Sequence, residues 1–328
     1  MDVTAAVLRR GSACMVVQKP SGLWEFPGGK REAEETLADC LLREIREELR
    51  LRIANPVPLA TVEHPPYRLH FFQAELPGLP TLTEHQQMAM LPPRLLLQLP
   101  MSLPDRVMAQ RLALNDPPIR RLVWDLDGTL IDTYPQACAA LCEVLHSHGV
   151  EGSPEEVMAR MKTSLGRCFR HYAPLLGMAP GILRTAYQEA MAPREPSLSP
   201  LPGIPEALEA LSQMGCTHYL WTHRDGGTWD LLAQNGLDHY FAGGVTADDG
   251  FPAKPDPAGL LSLMAHHGLA PEETMMIGDR LIDVQGGRLA GVMTLLLEDG
   301  YADSAHPSVE LALSHPSDLV ARMQPLPC

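Results

Sequence analysis

The stretch from Trp24 to Leu51, WEFPGGKREAEETLADCLLREIREELRL, constrains this chain more than any other. Leu37, Leu41, Ile45 and Leu49 recur every four residues, a spacing that predicts one apolar helix stripe turned toward a core. Glu44, Glu47 and Glu48 stand at i, i+3 and i+4, so their carboxylates project together from another side of the same helix. The helix must pack on one face and carry three mutually repelling charges on the other. A bare cluster of this kind is a solvated face, laced here with Arg43 and Arg46. A hard divalent ion between the carboxylates makes it a site instead, because Mg2+ takes oxygen ligands and keeps waters that can act as nucleophile.

The order of residues favours the site. Gly29, Glu35 and the run Arg43-Glu44-Ile45-Arg46-Glu47-Glu48 resemble the Nudix box. Arg50 stands where that family carries a glycine in a left-handed helix cap, a change that strains the exit turn by about 1 kcal/mol. The run WEFPGGK and the length of the segment look most like the MutT-type nucleoside triphosphate pyrophosphohydrolases, over residues 3–113. The resemblance implies that Glu44, Glu47, Glu48, Glu84 and the Gly28 carbonyl serve Mg2+ or Mn2+, with Glu44 also catalytic. It places Lys30 near the phosphates and leaves Asp105, in the last helix, as the nearest candidate for reading the base. An acceptor-only carboxylate there would prefer a base amino group.

Around the box, residues 2–9 and 13–18 read as strands about Gly11-Ser12, and PLATVEHP and RLHFFQAEL as two more. The segment Met101 to Leu114 has helical spacing, which completes an α/β/α sandwich over residues 1–114. Asn115-Asp116-Pro117-Pro118 marks a linker, residues 115–120.

A second constellation follows. Leu122-Val123-Trp124 reads as a buried strand ending in Asp125, with Asp127 two residues on and Gly128 turning the chain away. Thr222 follows HYLW, Lys254 lies in AKPDP, Asp279 follows TMMIG, and Asp283 comes four residues later. Each falls at the end of a predicted strand or in the loop beyond it, where open α/β sheets place their sites. Together they resemble the haloacid dehalogenase superfamily phosphatases across residues 119–328, in the branch that includes phosphoglycolate phosphatases. In chemical terms Asp125 is an ionised carboxylate able to attack phosphorus, and Asp127 an acid and then base for the leaving oxygen and water. Mg2+ would be held by Asp125, the Asp127 carbonyl and Asp279, with Asp283 bound or just behind. Lys254 and Thr222 would orient and neutralise the phosphoryl oxygens.

Helix, strand and helix alternate from Leu201 onward, the syntax of a doubly wound, Rossmann-like parallel sheet. The core is expected over residues 121–133 and 201–328, ending in a helix at Ser317 to Met323 and a short mobile tail. Residues 134–200 have helical spacing and resemble the small helical cap of one superfamily branch, which selects substrates and excludes water. There Gly166 and Arg167 mark the substrate loop, and Arg167, Arg170 or His171 either grips an anionic leaving group or is simply solvated. His223 and Arg224 either contact the leaving group or cap the next helix.

Composition limits the partners. A net charge of −14 argues against a nucleic acid polymer and leaves small phosphorylated molecules, nucleotides among them, reached through Mg2+. No apolar run is long enough to span a bilayer and the N-terminus lacks a signal pattern, which predicts a cytoplasmic protein. Seven dispersed cysteines without a C-x-x-C pair fit reduced thiols. Arginine is common, whereas lysine occurs only at 19, 30, 162 and 254, so each lysine draws scrutiny. Two organisations follow: two metal-dependent hydrolases in one chain, or a non-catalytic Nudix nucleotide sensor regulating a phosphatase for a small metabolite.

Overall fold

A computed structural model describes residues 1–225 and 227–327. Cα packing divides the chain into two compact units, 1–118 together with the described residues from Arg322 on, and 119–321.

In the first unit β1 (Asp2–Arg10), β2 (Ala13–Gln18) and β3 (Trp24–Glu25) precede α1 (Leu37–Leu49). They are followed by β4 (Val57–His64), β5 (Tyr67–Glu75), β6 (Gln87–Leu91), α2 (Pro93–Leu96) and α3 (Leu103–Asn115). The sheet runs β3-β2-β1-β5-β4, with β6 also paired to β2. The β1–β5 pair is parallel, Ala5 opposite Phe71, and the others are antiparallel. Strand alternation splits β1 between two cores: Ala5 and Val7 join Phe26, Phe71, Met108 and Leu112 on the α3 side, while Ala6 and Leu8 join Leu41, Ile45 and Leu49 of α1. This is the expected sandwich, with Leu37 only partly buried at the start of the stripe.

Thr36 caps α1, its hydroxyl accepting from Asp39 N–H, and the helix ends on Arg50 at φ 56°, ψ 27°. The left-handed exit is thus retained on an arginine; its side chain is exposed, so the cost is confined to the backbone.

The second unit begins with β7 (Arg121–Trp124) and an all-helical insertion of α4 (Tyr134–Ser147), α5 (Pro154–Thr163), α6 (Leu165–Leu175) and α7 (Pro180–Met191). There follow α8 (Ile204–Gln213), β8 (Thr217–Trp221), α9 (Gly227–Gln234), β9 (Phe241–Val245), α10 (Ala258–His267) and β10 (Thr274–Gly278). The series closes with α11 (Leu281–Leu289), β11 (Met293–Leu297), β12 (Leu311–Leu313) and α12 (Pro316–Met323). All pairs of its sheet, β12-β11-β10-β7-β8-β9, are parallel. Because β7 lies between β10 and β8, with Trp124 opposite Ile277 and Leu220, the chain leaves three adjacent strand ends at Asp125, Thr222 and Asp279. Strand order reverses there, and the crevice of a doubly wound sheet opens at that point.

One boundary differs from the expected 201–328. Residues from Arg322 on belong to the first unit: Asn115 Nδ2 donates to the Arg322 carbonyl at 3.1 Å and Leu326 packs against the Phe26–Phe71 core. The tail is therefore anchored by apolar burial, not free; Cys328 lies outside the described residues. Among the described residues no helix is long and apolar enough to cross a membrane.

Candidate active sites

In the second unit the site is built on buried strand ends. Asp125 follows β7, and its N–H donates to the Ile277 carbonyl at 2.8 Å, fixing the carboxylate at the carboxyl edge of the sheet. Gly128 turns the chain at φ 79°, and a Cβ there would lie 2.1 Å from the Tyr134 ring and 2.7 Å from Asp279 Oδ2, so only glycine fits. Ligand oxygens of Asp125, Asp279 and Asp283 all lie within 4.8 Å of one another, and all three residues are buried. Asp125 is 1% exposed. Lys254 Nζ donates to Asp125 Oδ1 at 2.7 Å and to Asp283 Oδ1 at 2.8 Å, and Arg280 reaches Asp125 Oδ2 at 3.3 Å.

Electrostatics sort these groups. Desolvation alone would raise the Asp125 carboxyl, but Lys254 and Arg280 outweigh it and hold the group below its ordinary range, ionised. Desolvation raises Asp283 and Asp279, each with further repulsion from neighbouring carboxylates. The oxygens of the three carboxylates converge, and a divalent cation fits that oxygen-only donor set. Desolvation also raises Asp127, against the pull of Arg224 at 3.3 Å, which suits a group that must arrive protonated.

Thr222 is 2% exposed, and its hydroxyl accepts from Arg224 N–H at 3.1 Å. Arg224 bridges Asp127 to Glu195, so it orients the Asp127 carboxyl group. His223 Nε2 accepts from the Lys254 N–H at 2.6 Å, holding the lysine loop. That contact corresponds to neither role expected of His223, leaving-group contact or helix cap. Gly166 and Arg167 lie in the first turn of α6, where Ser164 caps the helix, and Arg167 is exposed. The helical insertion instead sends Lys162 to the carboxylates, its Nζ 2.8 Å from Asp279 Oδ2.

In the first unit the Gly28-Gly29 turn is forced by close approach. Gly28 takes φ 151°, and a Cβ on it would stand 2.1 Å from the Thr4 carbonyl; one on Gly29 would stand 2.3 Å from the Glu44 carboxylate. Gly28 N–H donates to Glu48 Oε2 at 3.0 Å, which ties the turn to the helix. Arg43 is the hub: it pairs with Glu35 at 2.9 Å, Glu44 at 3.0 Å and Glu47 at 3.2 Å, and donates to the Lys30 carbonyl at 3.1 Å. Desolvation raises Glu44 and pushes Glu48 up to about 7, with Glu25 and Glu44 adding repulsion to the latter. Glu47, Glu84 and Lys30 are exposed, and Glu84 is near enough to add to the rise at Glu44. Among the described residues the helix glutamates do not form a threesome within 4.8 Å, but the buried Glu48 and the partly buried Glu44, both raised by desolvation, offer the oxygen ligands that a hard cation takes. His85, 3.2 Å from Glu25 and charge-coupled to Glu48, joins this cluster. Neither His85 nor Glu25 belongs to the repeating pattern of the box.

Asp105 departs from the expected role. It is 4% exposed, Oδ1 accepting from Phe26 N–H at 3.1 Å and Oδ2 from the Ser102 hydroxyl at 2.5 Å, so Oδ1 ties α3 to the strand-end loop, Oδ2 closes on the head of α3, and neither stands open to a base. Burial pushes its carboxyl from 3.8 up to about 6. The native state therefore binds the extra proton, and stability falls as pH rises from about 3.8 through 6. Asp105→Asn, which can keep both hydrogen bonds, is expected to be more stable than wild type at neutral pH by up to about 3 kcal/mol. The gap should shrink toward pH 4; urea unfolding across that range checks it.

Comparison with known proteins agrees with these geometries. Residues 122–297 match the model of the haloacid dehalogenase-like hydrolases, and residues 1–112 match the NUDIX domain. An N-acetylmuramic acid 6-phosphate phosphatase of Pseudomonas aeruginosa is 28% identical over 211 residues, 62% of this chain and 93% of that protein. A phosphoglycolate phosphatase of Vibrio vulnificus is 31% identical over 196 residues, 56% of this chain and 85% of its own length. A haloacid dehalogenase-like hydrolase structure from Streptococcus pneumoniae shares the fold at TM-score 0.54 and 22% identity, covering 63% of this chain and 99% of that one. The chain belongs to the haloacid dehalogenase-like hydrolases and carries a NUDIX domain ahead of that hydrolase unit.

Proposed function

We propose that the chain is a bifunctional Mg2+-dependent hydrolase. Its second unit acts as a phosphatase on a small phosphomonoester, and its first as a pyrophosphohydrolase on a nucleoside triphosphate or other nucleoside diphosphate derivative. The observation that carries the first half is the buried, ionised Asp125 between Lys254 and Arg280 beside a raised Asp127.

An Asp125 oxygen attacks phosphorus as the bond to the leaving oxygen breaks, and Asp127 donates its proton to that oxygen. The aspartyl phosphate is then hydrolysed: Asp127, now a base, takes a proton from water, whose oxygen attacks phosphorus, returning the Asp125 carboxylate and releasing inorganic phosphate. Lys254 and Thr222 hold the transferring oxygens. Mg2+ on Asp125, Asp279 and Asp283 would offset the phosphoryl charge as it nears the carboxylate. Residues 134–200 serve as the cap that closes over the substrate. Relatives acting on phosphoglycolate and on N-acetylmuramic acid 6-phosphate point to a small anionic or sugar phosphomonoester.

In the first unit, Glu44, Glu47 and Glu48 would hold Mg2+ against the diphosphate, with Lys30 near the phosphates. One observation favours a second reading, a nucleotide sensor: Arg43 already neutralises Glu44 and Glu47.

The test is a panel of nucleoside triphosphates, nucleotide sugars and small phosphomonoesters, with Mg2+ and with a chelator, followed by phosphorus NMR. Wild type is expected to cleave members of both classes only with Mg2+. Glu48→Gln should lose nucleotide cleavage, by about 10²-fold or more, and keep phosphatase turnover. No nucleotide cleavage by wild type would leave the sensor reading, and loss of both activities in Glu48→Gln would refute separate sites.

A further inference from the structure

The four lysines of this chain are few enough to follow individually, and Lys162 has a position that neither activity explains. It sits in the last turn of α5, in the helical insertion, yet its side chain is 9% exposed and points at the core carboxylates. Nζ lies 2.8 Å from Asp279 Oδ2, is ion-paired with Asp299, and stands 3.5 Å above the centroid of the Tyr134 ring.

The cations of the site are divided among its carboxylates. Lys254 serves Asp125 and Asp283, and Arg280 leans on the same two. Asp279, with its side chain wholly buried, receives Thr129 Oγ1 on Oδ1 at 3.2 Å and the Lys162 ammonium on Oδ2. Removing the ammonium that touches a buried carboxylate is strongly unfavourable, so this contact holds the end of α5 to the strand-end loop of β10. Asp279 is also one of the three carboxylates whose oxygens converge for a divalent cation. An ammonium and a divalent cation on the same carboxylate repel each other at close range, in surroundings that screen poorly.

We propose that Lys162 is a latch from the helical insertion that competes with the divalent cation for Asp279, so that cation binding loosens α5 from the core and the latch in turn weakens cation binding. The inference rests on the reading of this site as Mg2+-dependent. Lys162 is thus a positioning residue: it acts on substrate access through Asp279 and Asp299. The coupling is reciprocal, so removing the latch must tighten the cation by the factor with which the cation loosens the latch.

Hydrogen exchange on the full chain, titrated with Mg2+ in the absence of substrate, reads both ends. In wild type Mg2+ is expected to slow exchange in residues 274–289 and to speed it in residues 154–163. In Lys162→Met, residues 154–163 should exchange fast without Mg2+, and the Mg2+ midpoint for residues 274–289 should fall about tenfold. Lys162→Arg should restore the wild-type pattern. Asp299→Asn, which weakens the ammonium's seat without altering Asp279, should lower the midpoint in the same direction. A midpoint that is unchanged or higher in Lys162→Met, or residues 154–163 indifferent to Mg2+ in wild type, overturns the latch while leaving the metal reading standing. Residues 274–289 indifferent to Mg2+ in every variant would overturn both.

Discussion

Asp125→Asn is expected to abolish phosphomonoester hydrolysis, by at least about 10⁴-fold in kcat, while leaving nucleotide cleavage by the first unit at its wild-type rate. An amide has no free carboxylate oxygen with which to form the acyl phosphate, and no neighbour can replace it. Asp283 is the next carboxylate on Lys254, but it is pinned by Arg280 N–H at 3.1 Å at the head of α11. The fold should survive. The asparagine oxygen can still accept from Lys254 and the backbone bond from Asp125 N–H to Ile277 is untouched, while Lys254 and Arg280 retain Asp283 as counter-charge. Circular dichroism unchanged beside lost phosphate release would attribute the loss to chemistry. Residual turnover above about one part in a hundred would mean that Asp125 is not the nucleophile.

The reason so much of this site could be read from sequence is that its residues sit where strands end. Short apolar runs such as LVW, HYLW and MMI are unmistakable, and a parallel sheet brings the residues after them together at one edge. The glutamate helix was legible for a similar reason, since α-helical spacing alone settles which side chains share a face. Contacts made across long separations were not legible. Lys162 meets Asp279 over 117 positions, and Glu25 meets His85 over 60; no local period encodes either pair. Only the rarity of lysine in an arginine-rich chain marked Lys162 at all. β6 went unread because QMAML shows no alternation and earns its place by pairing with β2, Cys14 opposite Leu91. The terminal segment misled for a different reason: a short proline-rich end suggests a free tail, while Leu326 packs on the core of the first unit and Arg322 hydrogen-bonds to Gln110 and Asn115.

Lys254→Met should strongly destabilise the second unit, because it removes the ammonium held between two buried carboxylates and leaves both to Arg280 at 3.3 and 3.8 Å. Lys254 has a fully buried side chain, and its ammonium lies 2.7 Å from Asp125 and 2.8 Å from Asp283, above the Trp221 ring at 4.8 Å. Methionine fills the same volume, so the cavity contribution is small and the loss is electrostatic: breaking such a buried pair from one side costs about 3–5 kcal/mol. The pH dependence separates this from a packing defect. Lys254 depresses the Asp125 carboxyl below 3.8, so the stability it confers is fully present above that value and is lost as pH falls through the depressed range. The deficit of Lys254→Met against wild type should therefore be greatest near neutral pH and shrink below about pH 4, as protonation of Asp125 and Asp283 removes the need for a counter-charge. A deficit independent of pH would assign Lys254 to packing. Divalent cation provides the second discriminant: with the ammonium gone, Arg280 is left to face both Asp125 and Asp283 and Mg2+ would supply the missing charge, so it should raise the melting temperature of the variant more than that of wild type. Activity should not return with the fold, since the phosphoryl oxygens would still lack the ammonium that orients them, and phosphate release should remain down by about 10³-fold at saturating Mg2+.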